Sequence, residues 1–301
     1  MLSIRNFRVL AFTTALFAYL QIALGGVVRV TGSGLGCPDW PLCHGRPYPP
    51  ADIHSIIEYS HRSVGTITGV LVIATVVLAW IVFHKRRPLV AIVGTGSLIA
   101  IAAEGGLGAV VVAQELQPWL VLVHLALAML ILGCLIATAI LSLPPTSGLA
   151  RVRPPALVGA AATYLLLLTG STVVASNADS SCHSWPLCGG GFTPDFAGAN
   201  AFTMLHRGSA LVLGALIVYV AFRVMSQRSL RRAAAATLVV LAVQVAVGAG
   251  AAVTDAAAFN GFHVAIATLV WAGMLWIALL TLPRADARQA LQHLAVDKRP
   301  A

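Results

Sequence analysis

Charge is scarce in this chain. Only 10% of its 301 residues are Asp, Glu, Lys or Arg, whereas soluble domains carry about 25%. That shortage excludes an ordinary water-soluble globular protein. Acid is scarcer than base, ten residues against nineteen, which leaves a net charge of +9. Cysteine is rare too: five are present, and none stands in a CxxC pattern. The paired ones are six residues apart, which excludes a zinc knuckle and a CxxC redox centre. The first apolar run is long for a signal peptide, and no convincing small-x-small cleavage site follows it. Residues 1–28 are therefore expected to stay as a helix and not to leave as a signal peptide.

Hydrophobic residues make up 58% of the chain, and the mean hydropathy is +0.88. They gather into eight runs, about 9–28, 64–83, 89–113, 118–143, 155–175, 201–224, 233–253 and 262–282, each long enough to cross a hydrocarbon layer as a helix. Inside lipid every backbone group must be satisfied within its own segment, so the expected fold is an all-α integral membrane bundle of eight transmembrane helices. Fifteen of the nineteen basic residues fall on one side of it. These are Arg5 and Arg8; Lys85, Arg86 and Arg87; Arg151 and Arg153; Arg223, Arg228, Arg231 and Arg232; and Arg284, Arg288, Lys298 and Arg299. The positive-inside rule makes that side cytoplasmic, with both termini on it. The same rule accounts for the net charge, so a nucleic-acid partner is not expected.

The chain repeats itself. CPDWPLC at 37–43 returns as CHSWPLC at 182–188, and each is followed 24 residues after its first cysteine by a His-Arg pair, His61-Arg62 and His206-Arg207. A shift of 145 also lays Gly69 on Gly214; further along a shift of 140 lays Glu104 on Gln244 and Gly108 on Gly248, and His124 meets His263 after one more slip. Two four-helix units are expected, 1–145 and 150–285, with a cytoplasmic tail at 286–301. Four spans per unit is an even number, so the units are parallel repeats related by an axis along the membrane normal.

Topology sorts the nine histidines. His84 and His293 lie among cytoplasmic basic residues, and His44, His54 and His183 in outer loops, where solvation is a sufficient account. His61, His124, His206 and His263 stand at the starts of the four even spans, which places all four at one depth near the outer face. Ionisable groups at such positions are costly and usually functional. Two opposed imidazoles within a four-helix bundle suit the axial positions of a haem iron. A single zinc or copper ion competes with that reading, although nothing nearby completes its site. No CxxCH occurs, so a haem here is not covalently attached.

Cys37 with Cys43, and Cys182 with Cys188, lie in outer loops facing an oxidising compartment and are expected to close two short disulfide loops. Cys134 is a packing residue of the fourth span. The units differ at a few places. Glu58 stands one helical turn before His61 on the same face, and Thr203 takes its place before His206. A solvated interfacial carboxylate is the plain alternative for Glu58. Arg29 lies opposite Val174 and is either a clamp for a haem propionate or a snorkelling residue; Arg62 and Arg207 are further propionate candidates. Glu104, in the third span, either packs helices or handles protons. The Gly25-Gly26, Gly105-Gly106 and Gly108 clusters read as close helix contacts.

With GGVVRVTGSGLGCPDWPLCHG, the following IEYSHR and the four histidines on even spans, the chain closely resembles the haem A synthase family of bacteria over about residues 5–283. The resemblance implies oxidation of the C8 methyl of haem O to a formyl group through a hydroxymethyl intermediate, with water as oxygen source. The product, haem A, serves terminal oxidases. It implies that His206 and His263 ligate haem b, that His61 and His124 flank the substrate haem, and that Glu58 is the essential carboxylate. Cys37 and Cys43 match the family's outer-loop pair, whereas the pair Cys182 and Cys188 is not shared by every member. It further implies a multi-pass protein of the cell membrane in contact with lipid, haem sites near the extracytoplasmic face, and a haem O synthase as upstream partner. The sequence allows a homo-oligomer and is silent on its size. A bis-histidine di-haem cytochrome exchanging electrons with quinone is the competing function. A disulfide-exchange protein is a third, and leaves the histidines without a role.

Overall fold

A computed structural model describes residues 3–146, 148–178, 180–254 and 256–283. The expected tail at 286–301 and the basic residues Arg284, Arg288, Lys298 and Arg299 lie outside the described residues. Eight long helices carry the fold: α1 (Ile4–Val30), α2 (Ile53–Phe83), α3 (Pro88–Ala113), α4 (Pro118–Leu141), α5 (Arg153–Ala175), α6 (Asn200–Met225), α7 (Arg231–Thr254) and α8 (Ala257–Leu280). All eight are long and apolar enough to span a membrane. The described residues contain no strand beyond one isolated bridge between Cys43 and Arg46.

Three helices begin at least five residues before their hydrophobic runs, α1 at Ile4 among them. Instead of starting near residue 64, α2 starts at Ile53, where Asp52 accepts the N–H of Ser55 at 2.9 Å as an N-cap. Its first turns carry Ser55, Glu58 and His61, polar residues that a hydropathy window rejects. Ser55 and Glu58 are nonetheless buried, because they face the loop that precedes the helix. In the same way α8 starts at Ala257, and His263 lies well inside it. Proline occupies the first turn of α3, α4 and α5, where its missing N–H costs nothing.

Each half closes on itself. Helices α1 to α4 pack in order with α4 back against α1, and α5 to α8 do the same. The halves meet along α1, α4, α5 and α8, around Ile22, Met129, Leu132, Leu135 and Trp271, all nearly inaccessible. Across the seam Tyr164 donates to the carbonyl of Ala126 at 3.1 Å and its ring lies 5.8 Å from that of Trp271.

At the basic end, arginines finish helices as well as setting charge. Arg8 donates to the carbonyl of Ser142 at 2.7 Å and Arg87 to that of Leu143 at 2.7 Å, just past α4. Arg153, the repeat partner of Arg8, donates to the carbonyl of Thr281 at 2.9 Å, just past α8. Cations at helix C-termini answer the unpaired carbonyls and the negative end of the dipole.

Candidate functional site

The four even helices carry His61, His124, His206 and His263 at the end opposite the cluster of basic residues, and α2 also takes in His54, expected in a loop, as its second residue. His124, His206 and His263 all stand six residues after the first residue of α4, α6 and α8, and His61 stands eight after that of α2. Every one of the four rings is seated against a glycine of the preceding odd helix. A Cβ built on Gly25 of α1 would come within 3.2 Å of His61 Cε1, and one on Gly108 of α3 within 3.4 Å of His124 Cε1. For Gly170 of α5 against His206 Cε1 the distance is 3.0 Å, and for Gly248 of α7 against His263 Cε1 it is 2.8 Å. Gly25 and Gly170 are 145 residues apart and Gly108 and Gly248 are 140 apart, so the seats follow the sequence repeat.

The odd helices also offer each ring a polar neighbour. Gln21 faces His61 Nε2 at 3.2 Å, and Thr169 faces His206 Nδ1 at 3.0 Å. Gln244 lies 3.0 Å from His263 Nδ1. Glu104 Oε1 lies 3.1 Å from His124 Nδ1, out of line for a hydrogen bond. A ring anchored through one nitrogen by such a neighbour keeps the other for a metal. His61 Nδ1 and His124 Nδ1 are buried without a hydrogen-bond partner, as are Gln21 Oε1 and Gln244 Oε1.

In the second half the rings of His206 and His263 lie 6.4 Å apart, centroid to centroid, and nearly perpendicular at 89°. Two imidazole nitrogens each about 2 Å from one metal put their ring centroids roughly 6.3 Å apart. The two rings are therefore spaced as opposed ligands of one metal ion would be.

The two cysteine loops form the other part of the site. The disulfides expected at Cys37–Cys43 and Cys182–Cys188 are formed, with Cα–Cα distances of 4.6 and 5.1 Å. Cys134 is free, in α4. Glu58, 3% exposed, does not project into solvent. Its Oε2 accepts the backbone N–H of Cys37 at 2.7 Å and its Oε1 accepts from Arg62. Arg62 also donates to the carbonyls of Cys37 at 2.6 Å, Asp39 at 2.6 Å and Leu42 at 2.8 Å. Arg207 repeats the clamp with the carbonyls of Ser184 at 2.7 Å and Pro186 at 3.1 Å. Thr203, where Glu58 would stand, donates to the carbonyl of Ala178 at 3.1 Å.

Asp39 ties the first loop tighter still, accepting the N–H of His44 at 2.6 Å and of Gly45 at 2.7 Å. The Gly45 amide above all, with that of His44, holds the Asp39 carboxyl below the usual carboxylate range. His44 and His54, read from sequence as plainly solvated, are exposed yet bonded. His44 Nε2 lies 3.0 Å from the carbonyl of Gly36, and His54 Nδ1 lies 3.1 Å from Ser33 Oγ.

The structure thus ties Glu58 to the first loop, seats His61 against α1 one turn further on, and brings His206 and His263 together in the second half. Arg62 and Arg207, expected near propionates, spend donors on loop carbonyls. Arg29 stands in the last turn of α1. Sequence reasoning missed Gln21 and Thr169, whose repeat partners are Leu166 and Leu24, so the shift gave no signal. It also took the glycines for helix contacts, although Gly108 and Gly248 were already aligned by the repeat.

Residues 8–56 and 52–275 match the COX15-CtaA family, described as cytochrome oxidase assembly protein. The chain belongs to this family. The COX15-CtaA match runs from the second turn of α1 into α8, so it takes in both halves and all four histidines. Among relatives, the Heme A synthase of Symbiobacterium thermophilum is 31% identical over 283 residues, 88% of this chain and 92% of that protein. The Heme A synthase of Bacillus pumilus is 29% identical over 72% of this chain and 75% of its own. That of Shouchella clausii is 31% identical over 69% and 73%.

Proposed function

We propose that the protein is a haem A synthase of the cell membrane, oxidising the C8 methyl of haem O to a formyl group, with haem b resident in the second half. The oxidation takes one water and releases four protons and four electrons. Haem b, when bound, supplies one-electron chemistry. His206 and His263 hold it, and His61 and His124 receive the substrate haem O. The observation that carries this reading is the asymmetry at one repeat position: a buried carboxylate, Glu58, beside His61, and a hydroxyl, Thr203, beside His206.

Glu58 is fixed in place by the Cys37 amide and by Arg62. A carboxylate so held can stabilise positive charge growing at the methyl carbon, or take a proton from the water that attacks it. The disulfide loop covers this end and limits access of bulk water, and Arg62 keeps that loop and Glu58 in register. The sites face the extracytoplasmic side, and an enzyme supplying haem O stands upstream.

Expression of the full chain beside a haem O source, with chromatography of the extracted haems, tests the proposal. Wild type is expected to yield haem A with haem b, and Glu58→Ala to accumulate haem O. Haem b alone, unchanged by the substitution, would instead establish a di-haem cytochrome.

A further inference from the structure

His61 and His206 are repeat partners, and the odd helices hold them by opposite nitrogens. Thr169 Oγ1 donates to the carbonyl of Leu166 at 2.8 Å, so it meets His206 Nδ1, 3.0 Å away, as an acceptor and leaves Nε2 free. Gln21 instead faces His61 at Nε2, at 3.2 Å. The facing atom is an amide nitrogen, which only donates, so the lone pair of His61 Nε2 is taken up. Turning the amide over would bring Oε1 to the same place and demand a proton on Nε2, which occupies that nitrogen equally.

The amide has a seat of its own. A Cβ built on Gly65, one turn beyond His61 on α2, would stand 3.0 Å from Gln21 Nε2. The second half has neither part of the device, since a shift of 145 lays Leu166 on Gln21 and Ala210 on Gly65. Gln21 Oε1 is buried with no hydrogen-bond partner, a cost that helix packing does not explain where the repeat manages with leucine. His61 keeps Nδ1 unpartnered, but Nδ1 is bonded to the ring carbon that carries the side chain. A flat macrocycle brought up to it meets the helix, and only the far nitrogen, Nε2, stands clear. His206 thus presents a free ligand to the haem that stays, and His61 a covered one to the haem that comes and goes.

We infer that Gln21 caps Nε2 of His61, and that the iron of incoming substrate haem displaces the amide, which returns as product haem leaves. The cap weakens binding in the first half, which must exchange its haem at every turnover; the second half lacks it and keeps its own. This inference rests on the haem A synthase reading.

The test titrates the full chain, purified in detergent with haem b in the second half, with haem O and follows the low-spin Soret band. Release of haem O is timed by transfer to excess apomyoglobin. Two variants are compared with wild type: Gln21→Leu, the residue the repeat places there, and Gln21→Asn, an amide one methylene too short to reach. Both are expected to bind haem O about fivefold more tightly, chiefly through slower release, the effect of one hydrogen bond no longer competing. Haem b content should stay at the wild-type level in both, which also reports the fold. Unchanged or weaker affinity in a variant that keeps its haem b overturns the inference and leaves the functional reading standing. Loss of haem b from both variants overturns it as well, because Gln21 would then be holding the fold. A wild-type chain that takes up no haem O overturns the inference and the functional reading together.

Discussion

The carboxylate of Glu58 accepts the backbone N–H of Cys37 at 2.7 Å, so a half-cystine and the buried acid form one unit. Among the described residues of the second half there is no such link, and Thr203 bonds to Ala178 instead of the cysteine loop. Both disulfides close loops of the same length, and each should contribute about 2 kcal/mol by loop-closure entropy. Replacing either pair by serine is therefore expected to lower the thermal midpoint by similar amounts. The yields should differ. Loss of Cys37 and Cys43 frees the Glu58 anchor and should cut haem A several-fold, whereas loss of Cys182 and Cys188 should cut it little. Thermal unfolding in detergent and chromatography of extracted haems read the two effects separately; equal losses of haem A would contradict the link.

The glycine seats make a graded prediction within the second half. Alanine at 248 would bring a Cβ to 2.8 Å from His263 Cε1, and alanine at 170 would bring one to 3.0 Å from His206 Cε1. Overpacking of this kind costs about 1–3 kcal/mol and pushes the ring off its position. Nothing lies within 4 Å of a Cβ on Gly214. Gly248→Ala should lose most of the low-spin haem b absorbance, Gly170→Ala somewhat less, and Gly214→Ala none. Helix propensity opposes this order, since alanine is favoured over glycine in helices generally. Full haem b content in Gly248→Ala would remove the seats from the site.

Much of this was legible in residues alone. Eight helices followed from apolar runs and from the bilayer's demand that each span satisfy its own backbone. The cysteine loops and the histidine quartet followed from a repeat that aligned them. What the sequence hid was polar and local. The first turns of α2 bury only Ser55 and Glu58, polar residues that face a loop, so hydropathy placed the helix start at 64 and not at Ile53. Arg62 was assigned outward, toward a ligand, because its carbonyl partners are backbone atoms that no motif displays. Gln21 and Thr169 sit at positions where the two halves diverge, and only their distances to His61 and His206 reveal them.

Arg62 and Arg207 invite a paired test. Removing Arg62 takes away four hydrogen bonds and leaves Glu58 buried beside an absent partner. Breaking a buried charge pair from one side costs about 3 kcal/mol or more. Removing Arg207 takes away two bonds to carbonyls, each worth about 1.5–3 kcal/mol, and strands no acid, whereas Arg62 loses three such bonds and its acid partner. Arg62→Ala should therefore destabilise the protein more than Arg207→Ala does. The double variant Arg62→Ala with Glu58→Gln should recover part of the difference, because no charge is then left unpaired. Thermal midpoints of the four proteins decide it; equal midpoints for the two single variants would show that the Glu58 contact carries no stability.

The first loop should also respond to acid in a way the second does not. Asp39 holds the amides of His44 and Gly45, two residues with positive φ of 52° and 73°. For His44 that conformation is one L-residues rarely take, and the carboxylate holds its amide there. Because these amides hold the folded-state pKa below the unfolded one, the contribution is complete above the ordinary carboxylate range. It is lost as pH falls through the folded value. Protection of the His44 and Gly45 amides against hydrogen exchange, corrected for intrinsic rates, should stay level from neutral pH down to about pH 4 and then drop. Asp39→Asn, with only one accepting oxygen, should be weaker at neutral pH and show no acid step. The loop from Cys182 to Cys188 has Ser184 at this position and should show none either. A step of equal size in both loops would trace the effect to the helices and not to Asp39.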